Sequence, residues 1–197
     1  MSVLTPTTRL DAVNDILAFS GERPVSSIAD TSQHNVLACL HFLDDATVRL
    51  QAESWWFNRA EEVTLRAAQP TGYYDIPPNY RSVKLSRPEV SDYRWAVRGT
   101  RFYNMDLRTD EGFTEDLLID FTETLTFDFL PANARTAIVA RATVYYALSR
   151  DTSRDLIEEA RANIQLAMED LTREELENTN SNIGNMPEVN RVMQRRA

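Results

Sequence analysis

A chain of 197 residues, 43% hydrophobic and 26% charged, can bury one core of ordinary size or a domain carrying a substantial insertion. A formal net charge of −9 argues against a general nucleic-acid coat, and the single cysteine, Cys39, excludes an intrachain disulfide and a cysteine zinc cage. The stretch Met1–Leu10 lacks the basic start and apolar core of a signal peptide, and no apolar run approaches the roughly 20 residues that cross a bilayer. The expectation is a globular protein of a reducing cytoplasm, with no membrane segment.

The spacing predicts a first helix over 8–20. Thr8 and Asp11 stand at capping-box distance, Leu10, Val13 and Leu17 form one stripe, Gly21 sits at the C-terminal cap, and Pro24 bars continuation. Asp30, Thr31 and Ser32 offer N-cap oxygens for a second helix over 32–53, whose Val36, Leu40, Leu43, Thr47 and Leu50 recur at spacings of four and three.

From Trp56 to Phe129 the period becomes two. Val63 and Leu65, Val83 and Leu85, and Leu117, Ile119 and Phe121 alternate with polar neighbours, between turns marked by Pro70, Gly72, Pro77, Pro78, Pro88, Gly99 and Gly112. This reads as a small antiparallel sheet with long loops, including a hairpin that turns at Arg98–Gly99 between 93–97 and 100–103.

Pro131 opens a third helix over 131–149, with Ala134, Ile138, Ala142, Tyr145 and Leu148 on one face. A fourth follows Thr152 and Asp155, again at capping-box spacing, with Ile157, Ala160, Ile164, Ala167 and Leu171 as its seam and an acidic outer face. After Glu177 the chain turns polar and rich in asparagine, a poor helix former, and ends in Arg191, Arg195 and Arg196. The fold class is therefore mainly α with a β insertion (α+β): a split four-helix bundle carrying a small antiparallel sheet and a C-terminal arm. Residues 1–55 and 131–177 form the bundle, 56–130 the β-rich insertion and 178–197 the extended arm.

The run from Ala12 to Ile28 (AVNDILAFSGERPVSSI) resembles the opening helix and turn of the tail tubular protein A family, the adaptors or gatekeepers of short-tailed bacteriophages. Glu53 to Leu65 (ESWWFNRAEEVTL) is similar to that family's helix-to-strand junction, and Tyr74 to Tyr80 (YDIPPNY) and Phe129–Leu130–Pro131 to its later turns. The resemblance covers most of 10–150 and thins across 86–125. It implies a twelve-membered homo-oligomeric ring beneath the portal protein, with a nozzle (tail tubular protein B) below it and tail fibres near that junction. Double-stranded DNA would pass through the lumen without sequence-specific binding. It also implies a virion tail component assembled in the bacterial host cytoplasm, with no catalytic residue to carry over.

Candidate sites follow from the residues. Trp55, Trp56 and Phe57 form the densest aromatic cluster and, with Leu40, Leu43, Ile157 and Ile164, are expected in the structural core. The segment 81–108 holds seven basic against three acidic side chains, a local +4, interleaved with aromatics. Such interleaving suits a protein interface rich in Arg, Tyr and Trp, and the resemblance favours that reading: Arg94, Trp95, Arg98, Arg101 and Tyr103 would face nozzle or fibre. It also describes single-strand binding, so the alternative is a cytoplasmic nucleic-acid-binding or regulatory module using this segment. In the arm, Arg191, Val192, Met193, Arg195 and Arg196 are the expected portal-docking residues. No metal or cofactor is expected. His34 and His41 stand about 10.5 Å apart along a helix axis, and nothing in sequence completes a ligand set around His41 and Asp45. Ser54 and Ser149 lack the glycine elbow of an acyl-transfer serine, and adjacent carboxylates such as Glu158 and Glu159 do not face one another on a helix, so no enzymatic activity is expected.

Overall fold

The computed structural model describes residues 8–29, 33–88, 91–150 and 152–184. The chain is an α+β protein, and among the described residues its four α-helices are split by a β-rich insertion. It divides into two compact units, residues 1–50 with 126–197 and residues 51–125, so each junction falls five residues before the 55/56 and 130/131 positions expected from sequence.

In the helical unit, α1 (Arg9–Phe19) begins at the capping box its sequence encodes. Thr8 Oγ1 accepts from the Asp11 N–H at 3.2 Å, and the Asp11 carboxylate accepts from the Thr8 N–H at 3.0 Å. Its C-terminus closes as a Schellman motif, in which Glu22 N–H donates to the Leu17 carbonyl and Gly21 N–H to the Ala18 carbonyl. Gly21 at φ +73° supplies the left-handed residue this closure needs. The buried face is Ala12, Val13, Ile16 and Leu17, with Leu10 at its edge.

Helix α2 (His34–Gln51) buries Val36, Cys39, Leu43, Ala46, Thr47 and Leu50, while Leu40 is only half-buried. The capping residues expected at 30–32 lie outside the described residues. Arg9 of α1 reaches Asp44 of α2 at 2.6 Å.

Helix α3 (Ala132–Ser149) is the centre of this unit, in contact with both α1 and α4 (Arg154–Gly184). It buries residues nearly all round, including Ala134, Ala137, Ile138, Ala142, Tyr146 and Ala147. Small side chains let neighbouring backbones approach closely. This corrects the single stripe expected from sequence: Tyr146 is fully buried, Tyr145 half-buried and Leu148 half exposed, because a helix packed on several sides has no one apolar face. Pro131 is the N-cap and not the first helical residue.

On α4, Ala160, Ala167 and Leu171 are buried, and Ile157 and Ile164, expected in the core, are half-buried at its margin. Asn133, near the start of α3, donates to the Glu174 carboxylate at 2.9 Å, so α4 continues about 15 Å beyond that level at 1.5 Å per residue. Residues 178–184 are therefore helical where sequence led us to expect extended chain. Asparagine and threonine cost only about 0.7 kcal/mol each relative to alanine, which an established helix absorbs while gaining a hydrogen bond per residue. Residues 185–197 lie outside the described residues.

A polar cluster is embedded between the helices. The Tyr146 hydroxyl donates to the Glu22 carboxylate, Asn35 Nδ2 donates to the same carboxylate at 2.8 Å, and Arg150 donates to the Tyr146 oxygen at 2.9 Å. Burial pushes the neighbouring Cys39 thiol up to about 12, which removes its reactivity.

Among the described residues the inserted unit holds two sheets where one was expected. Strands β1 (Arg59–Leu65), β2 (Tyr80–Leu85) and β5 (Leu117–Glu123) form an antiparallel sheet in the order β1-β5-β2, and β3 (Trp95–Arg98) pairs with β4 (Arg101–Asn104) as a separate hairpin. Both outer strands of the larger sheet carry a one-residue bulge, between Ala60 and Val63 and between Arg81 and Lys84. Glu62 (φ +54°) and Ser82 (φ +46°) occupy the left-handed region within them. Asp120 on the central strand braces this region: its Oδ1 accepts from the Glu62 N–H at 3.0 Å and from Ser86 Oγ at 2.5 Å. The core is Tyr74, Ile76, Phe102, Ile119 and Phe121, with Val63, Leu65, Val83, Leu85 and Leu117 packed around it. Each large apolar side chain so buried stabilises the unit by about 1.5–3 kcal/mol.

Trp55 is buried in this unit, whereas Trp56 and Phe57 are half-buried and stack edge to face at 5.0 Å. The two ends of the unit are held together by Gln51, whose side chain accepts from the Leu125 N–H at 2.7 Å and donates to the Leu125 carbonyl at 3.0 Å. Asn58 Nδ2 adds bonds to the carbonyls of Gln51 and Glu123.

Candidate interface on the inserted unit

The hairpin turns through Gly99–Thr100, one residue later than expected, with Arg98 opposite Arg101 as the closing pair. Gly99 at φ +61° takes the first central position, where two-residue hairpin turns require a positive φ. Cross-strand partners share a face, so the register sorts the expected site residues. Ala96 faces Tyr103 and Arg98 faces Arg101 on one side; Trp95 opposite Asn104 and Val97 opposite Phe102 occupy the other. Trp95 is thereby separated from Arg98, Arg101 and Tyr103, and these residues do not form one surface.

On the first side, Arg98 lies 3.6 Å above the Tyr103 ring and Arg101 lies 4.1 Å above the Tyr73 ring. Arg101 also pairs with Asp110 at 3.1 Å, and Arg94 bonds Asp106 through both Nε (2.9 Å) and Nη2 (2.7 Å). The hydrogen bonds from Arg94 hold the Asp106 carboxyl below its ordinary range. Arg87 pairs with Glu62, and Lys84 stands 3.9 Å from Asp120. The local +4 is thus countered largely by carboxylates outside the 81–108 window, chiefly Glu62, Asp110, Glu111 and Asp120. Such compensation leaves less positive potential for a phosphate backbone than the sequence window implied.

On the other side, Trp95 is half-buried against Tyr74 (5.7 Å), Phe102 (6.3 Å) and Phe113 (4.9 Å), and its indole N–H donates to Ser91 Oγ at 3.1 Å. Of these rings Trp95, Tyr74 and Phe113 line a groove of about 650 Å³, together with the carboxylates Asp92, Glu111, Glu115 and Asp116. Sequence reasoning overlooked it. The available signal was the acidic run from Asp106 to Asp116 directly after the basic stretch.

Arg191, Val192, Met193, Arg195 and Arg196 lie outside the described residues. Among the described residues no group of three His, Cys, Asp or Glu side chains is placed to hold a metal ion, and no helix is long and apolar enough to cross a membrane.

Comparison with known proteins adds the decisive observation. No curated protein matches the chain. The family model described as tail tubular protein matches residues 10–186, which takes in α1 from Leu10 onward, α2, α3, α4 and the whole inserted unit. The chain belongs to the tail tubular protein family and is a structural component of a bacteriophage tail.

Proposed function

We propose that this protein is the head-to-tail adaptor of a short-tailed phage. Identical subunits close side to side into a ring, twelve-membered by resemblance, beneath the portal protein, and the nozzle protein and tail fibres attach below. Genomic DNA passes through the lumen at ejection, and the net charge of −9 keeps phosphates from adhering to the wall. The protein assembles in the host cytoplasm and acts without catalysis, cofactor or metal. The observation that carries the reading is the family assignment over 10–186. The division into a helical unit and a separate β-rich unit supports it, since an adaptor needs distinct surfaces for its own copies and for different partners.

In this reading the basic end of the chain, with Arg191, Arg195 and Arg196 flanking Val192 and Met193, docks on the portal. The hairpin face bearing Arg98, Arg101 and Tyr103 turns toward nozzle or fibre. The test is electron microscopy of the protein mixed with portal, using full-length chain and a chain ending at Gly184, which spares every described helix. Rings on the portal with the full chain and none with the shortened one are expected. A shortened chain that attaches normally removes the docking role of the arm. Salt-sensitive oligonucleotide binding by the isolated chain, with no attachment to portal, would replace the adaptor reading by the nucleic-acid one.

A further inference from the structure

The groove behind Trp95 has a chemistry that the tail role does not by itself assign. Its walls are aromatic and aliphatic, and Tyr93, Leu107 and Leu118 are 42%, 54% and 39% exposed there. Its rim carries four carboxylates against one guanidinium, Arg87, which is paired with Glu62. Among the described residues Asp92 and Glu115 have no cationic partner, Asp116 has only the distant Arg66 at 3.8 Å, and Glu111 stands 3.9 Å from Arg101, which does not line the groove. Burial, and after it the charges of Glu115 and Asp116, push the Tyr74 phenol up to about 12.

We propose that this groove receives an arginine or lysine side chain presented by a segment of another tail protein. An aromatic wall attracts a cation to its ring faces, and the carboxylates neutralise its charge. The exposed Leu107 and Leu118 cover the aliphatic stem of such a side chain. A phosphate or acidic peptide is repelled by the same rim. A purely apolar segment would strip water from four carboxylates and return no pairing. The inference rests on the adaptor reading only for the source of the segment; the recognition chemistry belongs to the groove.

The experiment titrates full-length protein with two short capped peptides, Gly-Arg-Gly-Arg-Gly and the same sequence with glutamine for arginine. The indole N–H resonance of Trp95, identified through Trp95→Phe, reports binding. The arginine peptide is expected to shift it to saturation and the glutamine peptide to leave it unmoved. Glu115→Gln with Asp116→Asn should weaken the effect about tenfold, as should salt near 1 M, where screening falls to about 3 Å. Both substitutions are at exposed side chains, and an unchanged resonance pattern elsewhere verifies the fold. No shift with either peptide, or equal shifts with both, overturns the inference. Portal attachment of the same double variant is measured in parallel. Attachment retained with peptide binding lost supports the groove as a separate site, and peptide binding that survives both substitutions overturns the charge recognition whatever the portal result.

Discussion

The Tyr146 hydroxyl, on the most enclosed helix of the bundle, donates to the carboxylate of Glu22, which sits just past the glycine that closes α1. Burial acts to raise the pKa of Glu22, but the bonds from Tyr146 and Asn35 and the charge of Arg150 outweigh it, so the carboxyl lies below its ordinary 4.5. A carboxyl depressed on folding contributes its stability in full above the unfolded pKa and loses it as pH falls through the folded value. Tyr146→Phe should lower stability by about 1–2 kcal/mol at neutral pH. It should also flatten the decline seen on acidification below about pH 4.5. Urea unfolding midpoints across that range check both, and a midpoint curve parallel to wild type would mean that the bond contributes nothing to acid sensitivity.

Asp120 gives a second acid-labile element, in the other unit. Its pKa is held down by the hydrogen bond from Ser86, against burial, with help from the Glu62 N–H and Lys84. Asp120→Asn keeps the shape but loses the charge-assisted bonds, so about 1.5–3 kcal/mol of destabilisation is expected at neutral pH, shrinking as pH falls through the depressed carboxyl value. Hydrogen exchange at the Glu62 amide should rise in step. Unchanged protection there would show that the bulge holds without its carboxylate.

At Gly99 no heavy atom lies within 4 Å of where a Cβ would sit, so a side chain meets open space and only the φ of +61° resists it. Gly99→Ala should cost about 1 kcal/mol and Gly99→Asn less, because asparagine tolerates left-handed backbone. Thermal unfolding of the two variants tests the order; a reversed order would point to side-chain contacts instead of backbone strain.

Trp55 and Trp56 are neighbours in sequence with different burial. Trp55, 8% exposed, should cost about 3–5 kcal/mol when truncated to alanine, and half-buried Trp56 clearly less. Equal losses in melting temperature would contradict the assignment of Trp55 as the deeper anchor.

What could be read from the chain in advance was what local chemistry decides. Thr8, Asp11 and Gly21 fix both ends of α1 through bonds spanning five residues or fewer, and period-two alternation located β1, β2 and β5. Periodicity misreads burial around α3 because packing against α1 and α4, invisible to it, decides whether Tyr145 or Tyr146 turns inward. The candidate interface suffered for the same reason. Arg98 and Trp95 belong together in a linear reading, yet the Ala96–Tyr103 register sets them back to back. The carboxylates that compensate the basic stretch come from as far away as Glu62 and Asp120.

The pairing of Gln51 with the Leu125 backbone has a consequence for how such a tail part can change. Departure and return of 75 residues occur at one clasp, so whatever lies between is topologically a pendant, removable without altering the span that the flanking helices must bridge. Lineages could exchange the pendant to suit new neighbours while leaving the bundle untouched. A chimera exchanging the segment between these two residues should then fold wherever the donor segment supplies the same amide-to-backbone pairing.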